Sequence, residues 1–257
     1  MALALVIQNY LAFCEGISVT KSASGRSKRT SRRSQRKNNV GLWIVGVAAV
    51  IVVAVLAIVG LSSGRTSATI APPDLPAGWL DHAAMGSPDA AVTVQAWEDF
   101  LCPACQQWTE QIKPRLYEEY IATGKVRFEF HHFPLQIHAP GAQLGAMAAE
   151  CANDQSAFWP YHDRLFQVAQ RSGQAGFTLD SLVQAAQEMG LDEREFFQCM
   201  SGQVHFAAVN DSVNQAVALG LNATPTVLIN GMPTADPFNY GQMSAEIERL
   251  LAAAGSQ

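Results

Sequence analysis

The sequence predicts an α/β domain preceded by one transmembrane helix. A run of 22 residues at 40–61 carries no charged side chain. At about 1.5 Å of rise per residue, a helix of this length spans the roughly 30 Å hydrocarbon core of a bilayer. After this run, hydrophobic periodicity indicates a strand, a helix, a strand, a long helical block, a hairpin and a final helix. Strands connected through a helix are parallel, so we expect the first two strands to be parallel neighbours.

The segment before the uncharged run is strongly basic and sets the predicted topology. Residues 21–37 hold eight of the chain's 17 lysines and arginines and no acidic residue. The positive-inside rule therefore places residues 1–39 in the cytoplasm as a disordered tail and the C-terminal part outside the cell. A nucleic-acid-binding arm is the alternative interpretation of the basic run. A cleaved signal peptide is the alternative for residues 40–61, although cleavable cores typically have 7–15 apolar residues.

The part of the chain beyond the uncharged run has a different composition. Residues 62–78 are rich in Ser, Pro and Gly and are predicted to form a linker. Residues 66–257 carry 8 basic and 21 acidic side chains, and this net charge of −13 argues against nucleic acid as a partner. Residues 79–254 are numerous enough to bury one core. We therefore expect one extracytoplasmic domain at 79–254, with a helical insertion at about 139–219.

The elements of this domain follow from their patterns. Alternating apolar residues predict strands at 90–97 and 125–133. Residues 103–122 show helical spacing, with a kink expected at Pro114 and an end at Gly124. The other predicted elements are helices near 139–151, 155–169, 179–189, 192–200 and 204–219, strands at 224–231 and near 232, and a helix at about 240–254.

Two cysteines lie at the start of the first predicted helix, in the stretch "WEDFLCPACQQW". Cys102 precedes Pro103, and Cys105 follows one helical turn later. A thiol at a helix N-terminus faces free backbone N–H groups and the positive end of the helix dipole, which stabilise a thiolate. Cys105 could then attack a mixed disulfide at Cys102 and release a partner protein. The spacing therefore indicates a redox-active pair.

Zinc binding is another interpretation of a CxxC motif. Zinc needs about four ligands, but Cys151 and Cys199 are 48 residues apart and form no second CxxC. Nitrogen ligands could come from His131, His132 or His138. We nevertheless expect no metal and no other cofactor.

A second motif, Thr224-Pro225-Thr226, precedes the predicted hairpin strand. If the bond before Pro225 is cis, the backbone of Thr224 would lie beside Cys102 as an open strand edge. A substrate peptide could pair with that edge by strand addition. Alternatively, Pro225 merely begins a strand, which is a common place for proline. Thr224 and Pro225 are thus the candidate substrate-binding residues.

Four segments together resemble the DsbA-like thiol–disulfide oxidoreductases of the thioredoxin superfamily, in particular the membrane-anchored Gram-positive type. They are "MGSPDAAVTVQAWEDFLCPACQQW", "HHFPLQIHAPGAQLGAMAAECANDQSAFWPYHDRLF", "FFQCM" and "ALGLNATPTVLING". The resemblance extends over about residues 79–254 and implies a thioredoxin fold with an inserted helical domain. It also implies that the substrates are reduced secreted or envelope proteins and that a quinone-linked membrane partner reoxidises the enzyme.

For the site residues, the resemblance implies a nucleophile at Cys102, a resolving thiol at Cys105 and a cis proline at Pro225. It also implies a structural disulfide between Cys151 and Cys199, for which a second redox-active pair is the alternative. A bond that closes a loop of this length contributes roughly 2–4 kcal/mol to stability.

The sequence departs from the family pattern in two places. The residues between the cysteines are Pro103 and Ala104, where the best-known oxidases have Pro-His. A histidine there would stabilise the thiolate by its charge. Because it is missing, the sequence does not fix the oxidising strength of the pair. Thioredoxins also place a carboxylate six residues before the nucleophile, where this chain has Ala96. Glu98 and Asp99 are possible substitutes, but we expect both to be solvated loop residues.

The sequence thus predicts a membrane-tethered, extracytoplasmic enzyme that forms disulfides in secreted proteins. One alternative is the same chemistry run as a reductase or isomerase, which the reduction potential would distinguish. Another is a non-catalytic domain that binds peptides in the cell envelope. Such a domain would keep its function after the substitution Cys102→Ser.

Overall fold

The computed structural model describes residues 74–256 of the chain. Within that range, none of the helices combines the length and the apolar character needed to cross a membrane. The predicted tail at 1–39 and transmembrane helix at 40–61 lie outside the described residues, as do residues 62–73 of the predicted linker.

A mixed sheet forms the centre of the domain. Its strands are β1 (Leu80–Asp81), β2 (Ala84–Met85), β3 (Val92–Glu98), β4 (Val126–His132), β5 (Thr226–Ile229) and β6 (Met232–Pro233). They are arranged in the order β1-β2-β4-β3-β5-β6. β3 and β4 are parallel, as predicted, and the other neighbouring pairs are antiparallel. The β1–β2 hairpin was not predicted, because strands of two residues are too short to show a periodic pattern.

Alternation along the central strands decides which side chains enter the main core. The inward-facing apolar residues of β3 and β4 are at most 3% exposed: Val92, Val94, Ala96, Val126, Phe128 and Phe130. Successive side chains of a strand point to opposite faces, so Glu98 at the end of β3 lies on the same face as Ala96. The carboxyl group of Glu98 is therefore carried into the apolar core.

The helix that follows β3 is interrupted. α1 (Pro103–Gln111) ends at Ile112, and α2 (Lys113–Leu116) continues into a π-helical turn at Tyr117–Ile121. Pro114 has no backbone N–H to donate to the preceding turn, which is the reason for the break. The predicted kink is thus confirmed. Gly124 follows with a φ of 76°, a conformation that favours glycine at a helix end.

The predicted helical insertion is present between β4 and β5. It comprises α3 (Gly141–Asn153), α4 (Phe158–Ser172), α5 (Leu179–Glu188), α6 (Glu193–Ser201) and α7 (Phe206–Ala218), and the last helix of the domain is α8 (Tyr240–Gly255). A disulfide between Cys151 and Cys199 joins α3 to α6, with a Cα–Cα distance of 5.9 Å. The α/β fold with a helical insertion agrees with the fold class that the sequence predicts.

Candidate active site

Cys102 is the N-cap residue of α1, and its extended backbone leads directly into Pro103 at the first helical position. Its side chain is mostly buried, with 8% of the residue exposed. Cys105 lies one turn further along the helix and is completely buried. Both are free thiols. The N–H of Asp99 donates to the sulfur of Cys105 at 3.4 Å, so the segment before the helix contacts the inner sulfur.

The two thiols have very different acidities. The hydrogen bond from the Cys105 thiol is the largest influence on Cys102 and lowers its pKa from 9.0 to about 5, against the opposing effect of burial. The backbone N–H groups of Ala104 and Cys105 add to this effect, as a helix N-terminus does for any anion. Burial raises the pKa of Cys105 well above 9.0. Near neutral pH, Cys102 is therefore a thiolate and Cys105 a thiol.

The loop before β5 lies against Cys102. In its neutral form, the Cys102 thiol donates to the carbonyl oxygen of Thr224 at 3.4 Å. The hydroxyl of Thr224 is buried and has no other partner in the described part of the chain, so it can donate to the thiolate form and lower its pKa. The Thr224–Pro225 peptide bond is cis. The structure thus brings the two motifs that were 122 residues apart in the chain into contact.

Glu98 is buried, and the expectation that it is a solvated loop residue is wrong. Only 1% of the residue is exposed. One carboxyl oxygen accepts a hydrogen bond from the Thr109 hydroxyl at 3.2 Å, and the other has no partner among residues 74–256. Burial raises the pKa of Glu98 to about 8, although the positive charge of Lys113 works against the increase. The charge of Glu98 in turn raises the pKa of Cys105.

Asp99 is also buried, again contrary to the expectation, with 2% of the residue exposed. Its Oδ1 accepts from the N–H of Leu101 at 2.7 Å, which fixes the turn before Cys102. Its Oδ2 accepts from the N–H of Leu135 at 2.9 Å and pairs with Nδ1 of His138 at 2.7 Å. Asp99 therefore ties the turn before the CxxC motif to the loop after β4.

The helical insertion contacts α2 through a small polar cluster. Nζ of Lys113 lies 2.9 Å from Oδ1 of Asp163 and 3.5 Å from Nδ1 of His162. Burial lowers the pKa of His162 to about 4, so this imidazole is neutral near pH 7. The Lys113 ammonium also lies 5.4 Å from the centre of the Trp159 ring. The insertion thus holds the Lys113 ammonium, whose positive charge opposes the rise in the pKa of Glu98.

The histidines considered as zinc ligands do not converge on the CxxC motif. His131 stacks on Trp97, with 4.3 Å between ring centres. His132 binds Glu150 at 2.8 Å, and His138 binds Asp99. Each of the three histidines therefore contacts a different residue, and none of these contacts is with Cys102 or Cys105.

Sequence reasoning identified the two thiols and the proline loop, and it named Glu98 and Asp99 as possible substitutes for a carboxylate but wrongly expected both to be solvated. A signal for Glu98 was present, because Val92, Val94 and Ala96 share its strand face at a spacing of two. No comparable signal exists for Asp99. Its burial depends on hydrogen bonds to residues that follow it by as many as 39 positions.

Comparison with known proteins agrees with this geometry. A family model described as Thioredoxin matches residues 80–249. The probable disulfide bond formation protein D of Bacillus cereus is 32% identical over 171 residues, covering 65% of this chain and 77% of that protein. Disulfide bond formation protein D of Bacillus subtilis is 27% identical over 172 residues, covering 65% and 76% of the two chains.

The fold is shared with solved structures as well. The oxidised BdbD of Bacillus subtilis superposes with a TM-score of 0.61 at 25% identity, and the match covers 66% of this chain and 93% of that chain. The family match extends over most of the described domain, and the B. cereus relative is matched over 77% of its own length. The chain therefore belongs to the thioredoxin family and is a DsbA-like thiol–disulfide oxidoreductase.

Proposed function

We propose that the enzyme forms disulfide bonds in extracytoplasmic proteins through a Cys102–Cys105 redox pair. The observation that supports this most strongly is the split in acidity between a partly accessible thiolate and a buried thiol beside it. In the oxidised enzyme, a substrate thiolate attacks Cys102 and Cys105 leaves. The second substrate thiol then attacks the mixed disulfide, and Cys102 leaves. The substrate gains a disulfide, and the enzyme receives two electrons.

The low pKa of Cys102 favours this direction. Release of the substrate is faster when the leaving thiol is more acidic. At pH 7, two pH units above its pKa of about 5, the Cys102 thiol is ionised, which stabilises the reduced enzyme by about 3 kcal/mol relative to a thiol with a pKa of 7. For a two-electron couple this corresponds to about 60 mV of oxidising strength. The thiolate thus supplies this strength without the histidine of the Pro-His oxidases.

Glu98 is proposed as the proton donor for Cys105. A thiol whose pKa is strongly raised is a poor leaving group unless it receives a proton as the sulfur–sulfur bond breaks. With a pKa of about 8, Glu98 is largely protonated at pH 7, and it lies in the core where water does not reach. The same carboxylate accepts the proton back when the pair is reoxidised.

Thr224 and Pro225 are proposed to bind the substrate backbone. The Thr224 carbonyl lies next to the Cys102 sulfur, and β5 begins just after it, at Thr226. An extended peptide that pairs with this segment would place its own cysteine at Cys102. The contact of Thr224 with the Cys102 sulfur supports this role.

We also propose the cellular arrangement that the sequence predicts. A tail at 1–39 lies in the cytoplasm, a helix at 40–61 crosses the membrane, and a linker at 62–78 carries the domain at 79–254 outside the cell. The Cys151–Cys199 disulfide supports an oxidising compartment, where such bonds persist. The reduced pair needs an electron acceptor, for which we propose a quinone-linked membrane partner. The bond between Cys151 and Cys199 is assigned a structural role.

Reduction or isomerisation of disulfides on the same fold is a second candidate function. Ala104 in place of a histidine is the observation that favours it, since one source of thiolate stabilisation is missing.

Replacing Cys102 with serine should abolish oxidation of a reduced, unfolded substrate peptide, because serine cannot form the mixed disulfide. Cys105→Ser should retain an attacking sulfur and accumulate a mixed disulfide with an oxidised peptide. Turnover is measured by the fluorescence change of the peptide, and the mixed disulfide by mass spectrometry. Cys14→Ser is the control and should turn over normally. Turnover of Cys102→Ser equal to that of the parent would contradict the assignment of Cys102 as the sulfur that forms the mixed disulfide.

The alkylation rate of Cys102 should follow a single titration with a midpoint near pH 5. The folded pKa is depressed, so the thiolate persists above the midpoint and is lost as the pH falls through it. The rate of iodoacetamide modification between pH 3 and pH 9 measures this midpoint in the Cys105→Ala and parent proteins. In Cys105→Ala the midpoint should rise by at least one unit, because the largest stabilising hydrogen bond is removed. An equal midpoint in both proteins would contradict the assigned cause.

The reduction potential of the pair should lie between about −210 and −120 mV at pH 7. The lower limit adds the 60 mV of the thiolate to the −270 mV of thioredoxin, and the upper limit is that of a strong oxidase. Above pH 5, reduction takes up one proton, and the potential should fall by about 30 mV per pH unit. Below pH 5 it takes up two protons, and the slope should be about 59 mV. A value near −270 mV in glutathione equilibration would favour the reductase.

Glu98→Gln should slow turnover at pH 7 by roughly 10- to 100-fold, since the amide keeps the size of the side chain but transfers no proton. The variant should also change the pH dependence of stability. At pH 7, burial keeps Glu98 protonated in the folded protein, whereas Glu98 is ionised in the unfolded chain. This difference lowers the free energy of unfolding of the parent at pH 7, but not below the unfolded pKa of 4.5, where both states are protonated. The stability of Glu98→Gln relative to the parent should therefore increase by about 3 kcal/mol between pH 4 and pH 7.

Urea denaturation at the two pH values measures this stability difference, and stopped-flow kinetics measure the rate. Glu110→Gln is the matched control, because Glu110 is a solvent-exposed glutamate on α1, the helix that follows the strand of Glu98. It should change neither quantity. Turnover of Glu98→Gln within a factor of two of the parent would rule out proton donation by Glu98.

A further inference from the structure

Four side chains with metal-binding atoms meet around the disulfide of the helical insertion, away from the CxxC motif in the sequence. The sulfurs of Cys151 and Cys199 and a ring nitrogen of His205 all lie within 4.8 Å of one another. Oδ2 of Asp154 is 2.8 Å from Nε2 of His205 and 3.6 Å from the sulfur of Cys199. The cluster thus offers two sulfurs, one nitrogen and one oxygen.

The local fold explains why these atoms converge. Cys151 and Asp154 are three residues apart at the C-terminal end of α3 and therefore share one helix face. Cys199 lies in α6, and His205 is the N-cap residue of α7. The ends of three helices therefore meet at one point. The spacing of Cys151 and Asp154 is that of the ligand pairs in structural zinc sites.

We propose that, in the thiol form of the protein, these four residues bind Zn²⁺. Every chain is synthesised with its cysteines reduced, so the thiol form precedes the disulfide. Zinc displaces the protons of the two thiols, giving two Zn–S bonds and two released protons without any transfer of electrons. Thiol–disulfide exchange with another protein's disulfide, which accepts the two electrons, later joins Cys151 to Cys199, releases Zn²⁺ and abolishes the site.

The geometry suits zinc. A tetrahedral ion with Zn–S distances of about 2.3 Å places two sulfur ligands about 3.8 Å apart. Without the disulfide, rotation of the two side chains can separate the sulfurs to this distance while the Cα atoms stay 5.9 Å apart. His205 and Asp154 are partly exposed, with 21% and 49% of their side chains accessible, so an ion can reach them from solvent. Their mutual hydrogen bond already brings the nitrogen and the oxygen to within 2.8 Å.

The proposal is tested in the full-length chain in detergent, with Cys14, Cys102 and Cys105 all replaced by serine. This variant retains only Cys151 and Cys199 and has no redox pair, so its result is independent of the proposed oxidase activity. After reduction with a phosphine, Co²⁺ should bind with one equivalent. The complex should show sulfur-to-cobalt charge-transfer absorption and the visible bands of a tetrahedral ion, and Zn²⁺ should displace the cobalt. The oxidised variant should show none of this absorption.

Single substitutions in the same background identify the ligands. His205→Ala should weaken the affinity for Zn²⁺, measured by competition with a chromophoric chelator, at least tenfold. His131→Ala is the matched control and should change it less than twofold, because His131 stacks on Trp97 outside the cluster. If the reduced chain unfolds without metal, one equivalent of Zn²⁺ should restore its helical circular dichroism. No sulfur–cobalt absorption on reduction, or unchanged affinity in His205→Ala, overturns the proposal.

Discussion

The hydrogen bond from the Cys105 thiol to the Cys102 thiolate is the interaction on which the proposed chemistry depends. It requires two sulfurs in different environments. Cys102 lies where α1 begins and its sulfur meets free N–H groups, whereas Cys105 lies one turn inside and is completely buried. Burial keeps the proton on Cys105, and the proton in turn stabilises the charge on Cys102. The low pKa of the Cys102 thiol is thus a consequence of the burial of the Cys105 thiol.

This arrangement creates a difficulty that a second buried group can solve. A thiol that holds its proton so firmly cannot easily leave as an anion, so the oxidised pair needs a proton source on its inner side. Water is excluded there. Glu98 lies on the strand face that enters this region, and a buried carboxyl with one oxygen unpartnered among residues 74–256 lowers stability. A buried acid with such a cost fits a role in proton transfer better than a role in folding, where an apolar residue would suffice.

Much of the fold and part of the site were predictable from the sequence, for identifiable physical reasons. The parallel strands, the break at Pro114 and the insertion helices follow from local patterns that extend over many residues. The thiolate position follows from Cys102 and Pro103 alone, since a helix N-terminus stabilises any anion placed there. The contact between Thr224 and Cys102 depends on tertiary packing, and the sequence motif suggested it only if the bond before Pro225 is cis, which the resemblance implied. Asp99 was unpredictable, because its burial is balanced by distant donors such as the Leu135 N–H.

The insertion contributes to the chemistry through electrostatics as well as packing. Asp163 on α4 holds the ammonium of Lys113, and the buried His162 beside it stays neutral and adds no competing charge. Lys113 opposes the rise in the pKa of Glu98 that burial causes. Without this charge, the pKa of Glu98 would rise further, and the acid would give up its proton less readily. The Asp163 carboxylate itself adds a smaller rise to the pKa of Glu98, so the insertion acts on this acid by positioning Lys113 and not through its own charge. In this way, Asp163 on the insertion would affect the proton transfer that we propose between Glu98 and Cys105.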